Sequence, residues 1–138
     1  MLSYSTLAVS VAEADTYAES RAWGDWTGEE AAKTAALRRG QDHIASLFND
    51  RWNVEFNDAT APELVKFAII TAARRDLVSP GSLGKRGGLI KSVGAGSARV
   101  EFVDHAKADT FADDIDRMLA GLVHPARGNT TATFLARA

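Results

Sequence analysis

Residues 35–52 read AALRRGQDHIASLFNDRW and residues 64–77 read LVKFAIITAARRDL, and these two stretches decide the fold. In the first, Ala36, Leu37, Gly40, Ile44, Leu47 and Phe48 recur at spacings of three and four, while Arg38, Arg39, Gln41, Asp42 and Asn49 fall mostly elsewhere. One face is apolar and the other polar, as in a helix lying on a core. In the second stretch apolar residues stand on most sides, broken chiefly by Lys66, Arg74, Arg75 and Asp76, which predicts the most buried helix of the domain. Pro62 beside Glu63 marks its first turn, where a preset φ is an advantage and no needed N–H is lost. Ser79, Pro80 and Gly81 stop it.

Upstream, Ser10 and Glu13 have the capping-box spacing and open a first helix over about Val11–Arg21. Trp23-Gly24-Asp25-Trp26 breaks that helix, and Thr27 with Glu30 repeats the capping arrangement before the second, which ends near Phe48 or Asn49. Downstream, Leu83 to Gly88 reads as a Gly-rich loop, and from Leu89 the pattern turns extended. LIKSV and SARVEFV flank a Gly94-Ala95-Gly96 turn, with Val100 and Phe102 on one face and Arg99 and Glu101 on the other. This hairpin, at about 88–103, is too small to stand alone and must lean on the helices or on a neighbouring copy. Thr110 begins a fourth helix with Asp113 and Asp114 in its first turn and an apolar stripe of Phe111, Ile115, Met118, Leu119 and Leu122. Beyond His124-Pro125, ARGNTTATFLARA has neither helical period nor the apolar content for a core, and reads as an extended tail. The fold class is therefore mainly α: a four-helix domain over 1–123, a β-hairpin inserted between the third and fourth helices, and an extended C-terminal tail over 124–138.

Composition bounds the function. A chain of 138 residues with 46% hydrophobic and 25% charged residues has the balance of one globular domain. Sixteen basic against 18 acidic residues leave a net charge of -2, too little positive charge for tight duplex binding. The charge is unevenly spread. Glu13, Asp15, Glu19, Asp25, Glu29 and Glu30 stand against Arg21 in the first thirty residues, whereas Lys85, Arg86, Lys91, Arg99 and Lys107 outnumber Glu101 and Asp104 over 81–107. Opposite-sign ends suit head-to-tail packing of copies. No cysteine is present, which removes disulfides, thiol nucleophiles and Cys-ligated zinc. Met1 to Val11 lacks the pattern of a signal peptide, and no run approaches the roughly 20 apolar residues of a membrane span.

Catalytic constellations fail on mechanism. Gly81-Ser82-Leu83-Gly84-Lys85-Arg86 lacks the glycine spacing and the Ser or Thr after Lys that a phosphate loop needs, and it follows a helix instead of a strand. His43, His105 and His124 form no pair four residues apart, and Asp42 and His43 point about 100° apart on a helix. Asp113, Asp114 and Asp116 sit where a helix start favours acids. A hydrolase built on His105 with Asp104 or Asp109 would lack an oriented nucleophile. Trp23, Trp26 and Trp52 with Arg51 suggest a stacking platform for single-stranded nucleic acid, but no basic stripe accompanies them, and packing at helix ends accounts for them better.

The order of segments resembles a tailed-phage head-to-tail connector, or adaptor, family, whose members also carry the label DnaT-like single-stranded-DNA-binding protein. The likeness begins at Ala14-Asp15-Thr16-Tyr17 and is densest from Ala35 to Trp52, where the family shows Ala-Leu-x-Arg, Asp, an aromatic and Arg-Trp at equal spacing. Pro62 to Ala68 is similar to its third helix, and Ile90-Lys91-Ser92-Val93 through Val100-Glu101-Phe102 to its hairpin, so the likeness covers about Ser10 to Val123. After Trp52 many relatives carry a longer loop with a Trp-Pro-Arg element, where this chain has NVEFNDATA.

The resemblance implies a structural protein with no active site and no cofactor. About twelve copies would form a closed ring on the portal, continuing the DNA channel toward the tail. Its partners would be the portal protein, copies of itself and the next neck or tail-completion protein, with DNA passing through the lumen unbound and no membrane involved. The protein would belong to the virion neck and be assembled in the host cytoplasm. Within that frame, Thr130, Thr131, Thr133, Phe134, Leu135 and Arg137 are the expected portal-binding tail, able to add a strand to a sheet edge. Glu13, Glu19, Glu29 and Glu30 are candidates for a lumen surface that repels phosphate, and Lys85, Arg86, Lys91, Arg99 and Glu101 for the contact with a neighbouring copy or the tail side. The alternative is a single-stranded-DNA-binding replication accessory.

Overall fold

The LVKFAIITAARRDL stretch forms the axis of the domain. In the computed structural model, which describes residues 1–87 and 110–125, it is helix α3, Glu63–Val78, and it buries Val65, Ala68, Ile69, Ile70, Ala72 and Ala73. Helix α2, Glu30–Phe48, lies along α3 and contributes Ala36, Leu37, Ile44, Ala45 and Phe48 to the same core. The two helices touch at Gly40. A Cβ built there would lie 2.8 Å from both the Ala73 nitrogen and the Ile69 carbonyl oxygen, closer than real side chains approach backbone. Any residue but glycine would push the helices apart.

Helix α1, Val11–Ser20, packs Ala14, Tyr17 and Ala18 onto this pair. The predicted capping box forms, with the Glu13 N–H donating to Ser10 Oγ at 3.1 Å and the Ser10 N–H to Glu13 Oε1 at 3.0 Å. At its other end the Trp23 N–H donates to the Ala18 carbonyl and the Ala22 N–H to the Glu19 carbonyl, a Schellman closure with Ala22 at φ 55° where glycine is usual. The closure turns Trp23 back onto Tyr17, at 5.3 Å between ring centroids. Helix α4, Phe111–Leu119, buries Ile115 and Leu119 in the core, with Phe111, Met118 and Leu122 partly covered. An isolated antiparallel bridge pairs Trp52 with Val123. Among the described residues there are four α-helices and no strand, so the domain is mainly α as expected. The expected hairpin at 88–103 and all of the tail beyond Pro125 lie outside the described residues. No described helix is long and apolar enough to cross a membrane.

Four details depart from the sequence reading. The Thr27–Glu30 capping box does not form: Gly28, at φ 120°, turns the chain, and Glu29 takes the N-cap position without a side-chain cap. Residues Ser82–Gly87 wind into a 3-10 helix instead of a loop, because buried Asp76 accepts the Gly81 N–H and Ser82 bonds back to Ser79 and Arg75 at the end of α3. Leu47, placed on the apolar face, is 41% exposed. Gln41, placed on the polar face, is fully buried, since Leu37, Gln41, Ile44 and Phe48 share one stripe of α2.

Gly40→Ala should lower stability by about 1–3 kcal/mol through overpacking, despite the better helix propensity of alanine. Gly24→Ala, where nothing lies within 4 Å of the added methyl, should not. Urea midpoints of the two variants check this, and equal midpoints would contradict the close approach.

Candidate interaction surfaces

Three of the six acids in the first thirty residues are matched within the chain. Glu13 meets Lys66 of α3 at 2.9 Å, Asp15 meets Lys33 of α2 at 3.0 Å, and Asp25 holds Arg74 of α3 through two bonds of 2.9 and 3.0 Å. The Trp26 indole N–H also donates to Asp15, at 2.8 Å. The Lys66 hydrogen bond and the Ser10 N–H lower the Glu13 pKa, and the Arg74 fork lowers that of Asp25. For Asp15 desolvation opposes ionisation, but the bonds from Lys33 and Trp26 outweigh it and the pKa is lowered. These three contacts fasten α1 and the turn after it to the α2–α3 pair. Glu19, at the end of α1, and Glu29 and Glu30, at the start of α2, are exposed and make no ion pair among the described residues. Of the four candidate lumen acids, Glu13 is thus a structural joint and the other three are exposed.

The tryptophans are packing residues. Trp26 is 6% exposed. Trp23 lies edge-on to Tyr17, with the Arg74 guanidinium 4.2 Å from its ring centroid. Trp52 stands between Phe48 and Phe56 at 5.9 and 5.1 Å and donates to Asn49. Arg51 stacks on Phe48 and bonds the His124 carbonyl. His43 sits 5.8 Å from the Phe111 ring, in a groove of about 290 Å³ bordered by Leu47, Arg51, Phe111 and Asp116, while Asp42 pairs instead with Arg38. No group of three or more His, Asp or Glu among the described residues could hold a metal ion. Lys85 and Arg86 fall in the 3-10 helix, and Lys91, Arg99, Glu101 and the tail residues Thr130, Thr131, Thr133, Phe134, Leu135 and Arg137 lie outside the described residues, as do His105, Asp104 and Asp109.

A surface that sequence reasoning missed lies along α2. Residues 2–9 run over it with Leu2 and Val9 buried, and every bond from the domain to this segment is to main chain. Gln41 accepts the Ala8 N–H at 2.8 Å and donates to the carbonyls of Ser3 and Thr6 at 2.9 and 2.8 Å. Asn49 accepts the Leu2 N–H at 3.1 Å and donates to the Leu2 carbonyl at 2.8 Å. Asp58 accepts the Ser3 N–H, and Arg38 donates to the Ser3 carbonyl, both at 3.0 Å. The readable signal was Gln41 itself, a polar residue in the middle of an apolar stripe.

With this geometry in hand, comparison with family models, curated proteins and solved structures gives no match to the chain.

Lowered carboxyl pKa values stabilise the fold above the unfolded-state values near 4, and that stabilisation is lost as pH falls through the folded values. The Glu13, Asp15 and Asp25 side chains are 42–48% exposed, so screening holds each pair to at most ~1 kcal/mol. Urea midpoints should fall between pH 5 and pH 3 and should fall less in Arg74→Met, which has already lost its pair. Parallel pH profiles for the two proteins would show that Asp25 contributes nothing.

Proposed function

We propose that this chain is a structural ring subunit of a tailed-phage neck, joining the portal to the tail and continuing the DNA channel. The observation that carries the reading is the place of the residues through which the chain resembles connectors. Across Ala35–Trp52, Leu37, Ile44 and Phe48 fill the core, and Gly40 admits α3. Arg38, Gln41 and Asn49 are bonded to residues 2–8, and Trp52 forms a backbone bridge with Val123. The block is a scaffold, and a scaffold of this kind leaves function to its surfaces, as a ring subunit requires.

In this reading Glu19, Glu29 and Glu30 give the lumen its negative edge, the segment around Lys85, Arg86, Lys91, Arg99 and Glu101 meets the neighbouring copy or the tail side, and residues 130–137 anchor the ring on the portal. The root of that anchor is firm: the His124 N–H donates to the Arg51 carbonyl at 2.7 Å and the Arg51 Nε returns a bond to the His124 carbonyl at 2.9 Å. The rival, single-stranded-DNA binding, needs exposed aromatic faces, and the engagement of Trp23, Trp26 and Trp52 within the fold weighs against it.

The protein incubated with its portal and imaged should give a ring stacked on the portal. Removing residues 125–138 should abolish that binding and leave the helical circular-dichroism signal intact. Binding to oligonucleotides with a steep salt dependence, and none to the portal, would favour the rival.

A further inference from the structure

We propose that the groove between α2 and residues 53–60 is a docking site for extended main chain, filled in cis by residues 2–9 and open in trans to residues 2–9 of a second copy. The chemistry of the contact points this way. Within residues 2–9, Gln41, Asn49, Asp58 and Arg38 bond only to backbone atoms, those of Leu2, Ser3, Thr6 and Ala8, so the polar part of the site reads a chain path and no side-chain identity. Two apolar anchors, Leu2 and Val9 at 2% and 1% exposure, set the register, while Tyr4, Ser5 and Thr6 between them are exposed. Backbone bonds for affinity with separate pockets for register is the division of labour of peptide grooves.

Both partners are prepared for exchange. The receptor groups stand on α2 and the loop that follows it, and Gln41 is held between Leu37 and Ile44 on the buried stripe. The segment carries its own turn, in which the Thr6 N–H donates to Ser3 Oγ at 3.0 Å and the Ser3 hydroxyl donates to the Thr6 carbonyl at 3.2 Å. It joins α1 at Ser10, where the capping box closes the helix start with the helix's own residues. Lifting residues 2–9 therefore costs α1 no hydrogen bond. The second copy is the fitting occupant because its segment 2–9 matches both the bond pattern and the anchor spacing, and exchange of an identical element needs no new complementarity.

The proposal stands apart from the neck reading and is tested without a portal. The probe is a synthetic peptide of residues 1–10 with a fluorophore at its C-terminal end, titrated into the full chain. Because the cis segment competes, apparent affinity is scaled by the fraction of vacant grooves. Leu2→Ala in the full chain should tighten peptide binding at least tenfold over the unsubstituted chain, by weakening the competitor. A peptide carrying Tyr4→Ala should bind like the original, and one carrying Leu2→Ala with Val9→Ala should not bind. A second variant covers the case in which Leu2→Ala fails to fold. Val9→Ala in the full chain removes the other anchor of the competing segment, leaves every receptor group in place, and should likewise tighten peptide binding. Absence of saturable binding to both the Leu2→Ala and the Val9→Ala chain at millimolar peptide overturns the proposal. So does equal binding of the doubly substituted peptide.

Discussion

The contact on which the fold depends is the meeting of two backbones at Gly40. Helix packing is usually mediated by interdigitating side chains that hold axes 8–10 Å apart. Here α2 has no side chain at the crossing, and α3 meets it with the main chain of Ile69 and Ala73, so backbone lies on backbone. Everything else in the domain is placed relative to that pair. α4 closes one flank through Ile115 and Leu119, and α1 covers another through Ala14, Tyr17 and Ala18. The alanines of α3 are as necessary as its isoleucines, because small residues set the approach and large ones fill the space beside it.

Polar groups then fasten what the helix pair cannot reach. Asp76, 2% exposed, takes Arg39 from α2 and the Gly81 N–H, tying both helices to the first turn of the 3-10 segment. Gln41 does the same for residues 3–8, and the Arg51–His124 bonds for the exit of α4. A buried amide or carboxylate costs stability unless its bonds are made, so each such residue commits a segment to one path. The three acid–base joints of α1 and its following turn are of a weaker kind, half exposed and open to screening.

The helices were legible because their signals are local. Period, caps and stops placed α1, α2 and α3 within a residue or two and the start of α4 within one, although α4 ends at Leu119, short of Leu122; the Ser10–Glu13 box formed as read. The misses have two causes, a local turn and a distant partner. Thr27 has cap chemistry but lies beyond the Gly28 turn, and residues 82–87 are Gly-rich but bonded back to Asp76 and the end of α3. Residues 2–9 have no period at all, and their path is set by side chains over thirty residues away. The charge asymmetry was visible, but its meaning was not: half of the first six acids are internal joints, which no count of charges along a chain can reveal.

That distinction bears on what the polar side chains of the described residues do. Gln41 and Arg38 are aimed at the chain's own backbone, and Arg39 and Arg74 at its own opposite charges. Glu19, Glu29 and Glu30 stand exposed. In the proposed ring, firm bonding at the root of the tail would matter. If residues beyond Pro125 grip a partner, the pull arrives at His124, whose two main-chain atoms are held by Arg51 at the end of the helix that also carries Gly40. Such a load would pass from Arg51, whose N–H donates to the Phe48 carbonyl at 2.8 Å, into α2 and so to its crossing with α3. In a subunit that transmitted position in this way, the joints between segments would be the chief constraint on sequence.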